Sequence, residues 1–169
     1  MPNVYSLVPW LILTPLIGAA LILFLPQKQN SVIRFIAISS IGITVLFSLF
    51  FFFAYEPSIK GYQFRSYLPW VPSLGISYHA GLDGISVVMV LLHSLLAFAG
   101  ALVSRTIGQN VKSYFVFYLI LVSSIFGVFT SLDLFFLYFF YEMAVIPLYP
   151  LIGMWGSQNR EYASMKLTL

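Results

Sequence analysis

Residues 136–153 read FLYFFYEMAVIPLYPLIG, an apolar run broken by one carboxylate, Glu142, near its middle. The flanking letters extend the run from Leu134 to Trp155, and a transmembrane helix needs roughly 20 mostly apolar residues. The stretch therefore decides the fold: it is a membrane-spanning helix with a charge inside it. At 1.5 Å per residue, Glu142 lies roughly 12 Å into that helix, too deep for its side chain to reach the bilayer surface comfortably. Ionisable groups at such depth usually face protein or a wet cavity, and by default they mark an ion or proton path.

Tyr138, four residues before Glu142, and Tyr149, seven after it, share its helix face. One stripe thus combines a carboxylate with two phenols, and it is expected to point at protein. Pro147 and Pro150 follow within two turns. Each lacks an N–H and leaves the carbonyl four residues earlier, that of Met143 or Ile146, without its helical partner. In a membrane such carbonyls are satisfied by neighbouring helices, hydroxyls or water. A kinked, locally hydrated helix beside a carboxylate is what a proton path requires. A carboxylate's hold on its proton tightens with desolvation and loosens beside a cation, so a movable cation would load and unload such a group. No lysine of this sequence falls at that depth; Lys166 is placed near the cytoplasmic end of the next helix. The plainer alternative is that Glu142 makes a structural hydrogen bond that locks the fifth helix to a neighbour.

Outward from this helix, the composition agrees with the membrane. Of the 169 residues, 60% are hydrophobic and 8% charged, against about a quarter charged in soluble domains. The net charge of +3 comes from eight Lys and Arg scattered between apolar runs, which make no basic stripe of the kind nucleic acid needs. There is no cysteine, which excludes thiolate-held iron–sulfur clusters, disulfides and a thiol nucleophile in this chain. GxGxxG, Walker A and HExxH patterns are absent from the sequence as well. No cofactor is expected in this chain, and redox groups are assigned to partner subunits.

Five runs are long enough to span: Leu7 to Leu25, Val32 to Ala54, Gly84 to Val103, Tyr114 to Thr130 and Leu134 to Trp155. The expected fold is an all-α polytopic membrane protein, a single membrane domain over 1–169. The first run lacks a basic flank and a small-residue cleavage site, so it reads as a retained helix and not a signal peptide. REYASMKLTL, residues 160–169, opens a sixth helix too short to cross about 30 Å of hydrocarbon. The sequence is accordingly read as an N-terminal fragment.

The long connection, 55–83, carries Pro57, Pro69, Pro72, Gly61 and Gly75 among Tyr62, Phe64, Tyr67 and Trp70. Such aromatics suit a membrane interface, and the alternation around Tyr62 to Tyr67 fits a short hairpin of strands among other shapes. Ser131 and Asp133, in TSLD, are suited to ending the fourth helix and capping the fifth, and Asp83 to capping the third. Asp133 is explained by capping alone, with a transport role as the sharper reading. His93 lies mid-span on a face with Ser86, Ala97 and Gly100; a packing residue is the plainer reading, a proton relay the other. Ser123, Gly127 and Thr130 make a packing seam on the fourth helix. Lys28, Arg34, Arg105, Lys112, Arg160 and Lys166 fall in or beside the turns at one end, against Lys60 and Arg65 at the other. This puts the N-terminus and the aromatic loop outside.

Three stretches carry a resemblance: PWLILTPLIGAALILFLP, LPWVPSLGISYHAGLDGISVVMVLL and SLDLFFLYFFYEMAVIPLYPLIGMWG. Together they resemble the subunit M (chain 4) family of proton-pumping NADH:quinone oxidoreductase, respiratory complex I. The block from Asp133 to Glu142 with its two prolines is the most specific part. The resemblance covers essentially the whole sequence and implies an antiporter-like subunit of which this is the first third. It implies that Glu142 is the family's pumping glutamate, that Asp133 is its helix-start aspartate, and that the lysines completing the path lie on later helices. NADH, FMN, iron–sulfur clusters and quinone are then handled by other complex I subunits, in a bacterial inner membrane or its mitochondrial or thylakoid equivalent. His93 matches no fixed family position. A subunit of a multi-component Na⁺/H⁺ antiporter or a membrane-bound hydrogenase is a related alternative, and a non-transporting scaffold a third.

Overall fold

The computed structural model describes residues 7–71, 73, 75–156 and 160–168; Pro72 and the terminal Leu169 lie outside them. Among the described residues there are six α-helices, five along the apolar runs and a short one after them: α1 (Val8–Phe24), α2 (Asn30–Ala54), α3 (Gly84–Val103), α4 (Val111–Thr130), α5 (Leu134–Trp155) and α6 (Arg160–Thr168). Between α2 and α3 stands an antiparallel hairpin of β1 (Gln63–Val71) and β2 (Ile76–Leu82). Among the described residues four helices, α2 to α5, are long and apolar enough to cross a membrane. At 17 residues, α1 stands at the short end of the spanning range. The expected run from Leu7 to Leu25 is trimmed by one residue at each end.

The helix ends follow from local chemistry. Asp83 caps α3, its Oδ1 accepting from the Ser86 N–H at 2.7 Å. Asp133 caps α5 by accepting from the N–H groups of Phe135 at 2.9 Å and Phe136 at 3.3 Å. Ser131 closes α4, its N–H and hydroxyl both donating to the Gly127 carbonyl, at 3.0 and 2.7 Å. Such bonds satisfy backbone groups that a helix end leaves without partners.

The strand alternation around Tyr62 to Tyr67 belongs to a hairpin longer than that stretch, with Leu68 opposite Tyr78 and Tyr67 opposite His79. Gly75 takes φ +71° at its turn, a conformation glycine adopts without steric cost. The register shifts between Gln63 and Ser66. There Phe64 adopts φ +53°, and its ring meets Phe51 near the end of α2 at 5.0 Å. Along its other edge β2 meets the α4–α5 turn, where the Leu132 N–H donates to the His79 carbonyl at 2.7 Å. Trp70 lies against Phe135 and Phe136 at the start of α5.

The core is built around α4, which packs on α1, α2, α3 and α5. Lipid chains are as apolar as leucine, so helices in a bilayer associate through close packing and hydrogen bonds. The seam expected on α4 does this: Ser123, Gly127 and Thr130 are all buried, and the Ser123 hydroxyl donates to the Ile12 carbonyl of α1 at 2.7 Å. Gly18 of α1 admits Ser40 of α2, which would overlap any side chain placed there. Ser48 and Ser94 join α2 to α3 through their hydroxyls at 2.6 Å. The outer faces of α1, α2 and α3 expose large apolar residues, among them Leu21, Phe35 and Leu96, as lipid contact requires.

The basic residues also tie turns together. Lys112 Nζ donates to the Leu23 and Leu25 carbonyls at 2.9 and 2.8 Å, and an Arg34 amino group donates to the Ile107 carbonyl at 2.8 Å. Trp155 Nε1 donates to the Gln109 carbonyl at 3.0 Å. The α1–α2 and α3–α4 turns and the end of α5 therefore share one end of the bundle, while the hairpin and the α4–α5 turn share the other.

Candidate functional site

Helix α5 runs unbroken through Pro147 and Pro150. Its apolar sequence fits a membrane span, and what places its polar group is how it docks. Only Phe140 and Pro147 are buried on it, seven residues apart and so on one face. Phe140 retains 7% of its surface, and its ring lies over Gly127 of α4. At 3.6 residues per turn, Glu142 is about 200° around the helix from Phe140. Docking through Phe140 thus sends Glu142 outward.

Among the described residues, the stripe expected to point at protein is open. Glu142 is exposed, as are Tyr138 at 59% and Tyr149 at 46%. Glu142 and Tyr138 line one shallow groove with Leu134, Phe135 and Phe139. Tyr149 lies in a different hollow, between α5 and α6, beside Pro150 and Ser164. The structure brings Tyr138 and Glu142 together and sets Tyr149 apart from them, and no hydrogen bond between any of the three is found among the described residues.

The remaining candidates are elsewhere. Asp133 sits at the start of α5 as its cap. His93 is wedged between α3 and α4, its Nε2 at 3.1 Å from the Val122 carbonyl and its ring edge-on to Phe126 at 4.6 Å. The ring is thus packed between the two helices. Among the described residues no three of His, Cys, Asp and Glu come together as a metal site would need. Sequence reasoning missed three residues that position the helix ends: Lys112, Arg34 and Trp155. It also missed Phe140, for which the available signal was its place two residues from Glu142, on the opposite face.

Residues 131–169 match a family model described as NADH:quinone oxidoreductase/Mrp antiporter, TM. NADH-ubiquinone oxidoreductase chain 4 of Marchantia polymorpha is 37% identical over 158 residues, 93% of this chain and 32% of its own length. NADH-quinone oxidoreductase subunit M of Rickettsia conorii is 32% identical over 164 residues, 94% of this chain and 33% of its length. The chain spans about a third of the length of these relatives.

Among solved structures, a chain of respiratory complex I from Thermus thermophilus with bound NADH superposes with a TM-score of 0.77 at 28% identity. The match covers 93% of this chain and 31% of that one. A chain of an archaeal membrane-bound sulfane sulfur reductase shares the fold, with a TM-score of 0.76 at 22% identity over 97% of this chain and 34% of that one. The fold and these matches define an antiporter-like integral membrane chain. More narrowly, the chain is similar to subunit M, also named chain 4, of NADH:quinone oxidoreductases, over about a third of that subunit's length.

Proposed function

We propose that this chain is part of a membrane subunit that couples electron transfer from NADH to quinone to proton translocation, with Glu142 as a proton-carrying group. The single observation that carries this reading is the placement of Glu142: a carboxylate about 12 Å into a membrane-spanning helix, on a face the described helices leave open. A charge there is costly against lipid, which favours a covering element with a compensating group. In this reading further helices of the complete subunit, absent from these residues, cover that face and bury the glutamate.

Tyr138 is the neighbour best placed to assist Glu142, since both line one groove. The carbonyls of Met143 and Ile146, freed by Pro147 and Pro150, supply acceptors for water next to it. Asp133 and His93 serve structure in this reading. The other membrane and peripheral subunits of complex I are the partners; NADH, FMN, iron–sulfur clusters and quinone bind to them. The start of α1 and the hairpin face outward, and the turns at or beside Lys28, Arg105 and Lys112 face the cytoplasm or its organellar equivalent. Moving one charge against 100 mV takes about 2.3 kcal/mol, so the energy scale suits a single carboxylate whose surroundings alternate.

The test is the number of protons pumped per NADH oxidised in vesicles carrying the full-length subunit with Glu142→Gln, after assembly is checked. A ratio reduced to near zero is expected. An unchanged ratio would leave Glu142 with the structural role of a clamp between helices. Because the matching family model names an antiporter as well as the oxidoreductase, a second reading is a cation/proton antiporter subunit. Flavin and iron–sulfur subunits co-purifying with the chain favour the first reading, and their absence the second.

A further inference from the structure

The sequence of α5 does not choose its own orientation. Aromatic rings occupy positions 135, 136, 138, 139, 140 and 141, which surround the helix at 100° per residue. With apolar groups on every side, patterning alone leaves several faces able to meet α4. A steric feature makes the choice. Gly127 is buried on α4, and any Cβ there would overlap the Phe140 ring. The notch is held in place from behind, since its carbonyl accepts from the Ser131 N–H at 3.0 Å and the Ser131 hydroxyl at 2.7 Å. The ring is flanked on its own helix by Phe139 at 5.5 Å and Phe136 at 6.3 Å.

We infer that Phe140 seated in the Gly127 notch fixes the rotation of α5 about its axis and so aims Glu142, which makes Gly127 and Phe140 positioning residues for the proton site. The aiming role rests on the reading of Glu142 given above. Seating Phe139 or Tyr141 in the notch instead would turn the helix by about 100° and carry Glu142 with it. No other glycine of α4 is available to receive a different ring. Trp155 holds the far end of α5, fifteen residues beyond Phe140.

The experiment uses the full-length subunit in its assembled complex in membrane vesicles. It compares the parent, Gly127→Ala, Phe140→Ala and the double variant by two readouts. One is protons pumped per NADH oxidised, corrected for assembled complex. The other is the line shape of a nitroxide attached at Ile146→Cys, one turn beyond Glu142 and itself exposed, which reports the rotation of α5 whether or not pumping occurs. Each single variant is expected to change the line shape and lower the ratio about fivefold, and the double variant to return both to within about twofold of the parent, the signature of directly coupled sites.

Single variants that leave both readouts unchanged would overturn the inference, and so would losses that the double variant does not relieve. If Gly127→Ala fails to assemble, Phe140→Ala and its relief by the added Gly127→Ala carry the same test. Glu142→Gln, run alongside, separates the two ideas. An unchanged ratio in that variant, with line shapes still coupled, removes the role of Glu142 and leaves the notch as the device that orients α5.

Discussion

Three acidic side chains in or beside the spans divide between two tasks, set by their distance from a helix start. Asp83 and Asp133 accept backbone N–H bonds at the first turns of α3 and α5. Glu142, eight residues further along than Leu134, has no free N–H groups to accept from. The hydrogen bond from Ser86 holds the Asp83 carboxyl below its ordinary value of 3.8. A group whose folded value is depressed contributes stability above its unfolded range and loses it as pH falls through the folded value. Asp83→Ala is therefore expected to lower the stability of the full-length chain by roughly 1 kcal/mol at pH 7, with the difference smaller at a pH well below 3.8. Thermal unfolding in detergent at both pH values measures this, and equal midpoints at pH 7 would refute it. Tyr78 shows the opposite condition: burial pushes its phenol up to about 12, and its hydroxyl has no partner among the described residues.

At the scale of elements, helices end where side chains from other elements meet them. The last carbonyls of α1 have no acidic or basic group of their own in the final turn. Lys112, at the opening of α4, supplies the donors. Hydrogen bonds to a charged group are worth about 1.5–3 kcal/mol, and partial exposure places this pair at the lower end. Lys112→Met is expected to destabilise the chain by about 1–2 kcal/mol and to speed amide exchange in the last turn of α1. Lys28→Met, which removes the same charge from a turn where Lys28 makes no such contact among the described residues, should change stability by less than about 0.5 kcal/mol. Equal effects of the two would mean that net charge, and not the bond to α1, is what matters. The same principle governs α5, where Phe140 seated over Gly127 of α4 decides where its single charge looks.

For the molecule as a whole, the two ends of the bundle differ in kind. One gathers the basic turns, linked by Lys112, Arg34 and Trp155; the other carries the aromatic hairpin locked against α5 by Trp70. Opposite ends imply opposite sides of the membrane. Because the sequence has no cysteine, single cysteines introduced into a full-length chain cleared of any others report sidedness directly. Lys60→Cys should react with a membrane-impermeant maleimide from the outer side only, and Lys28→Cys from the cytoplasmic side only. Reaction of both from one side would break the topology.

Much of this was legible in the letters alone, and the reason is local. Hydropathy over about 20 residues marks each span irrespective of its neighbours. Short polar residues at the helix edges mark Asp83, Ser131 and Asp133, whereas the place of the hairpin turn, at Gly75, came only with the strand pairing. The seam of Ser123, Gly127 and Thr130 also reads out of residue size. Tertiary structure alone decided which way α5 faces, because a helix ringed with aromatics has no preferred side until a partner offers a notch. It likewise decided that Tyr149 stands apart from Glu142, that His93 packs against Phe126, and that Lys112 caps another helix. These are contacts between residues distant in the chain, and no periodicity in one segment encodes the shape of another.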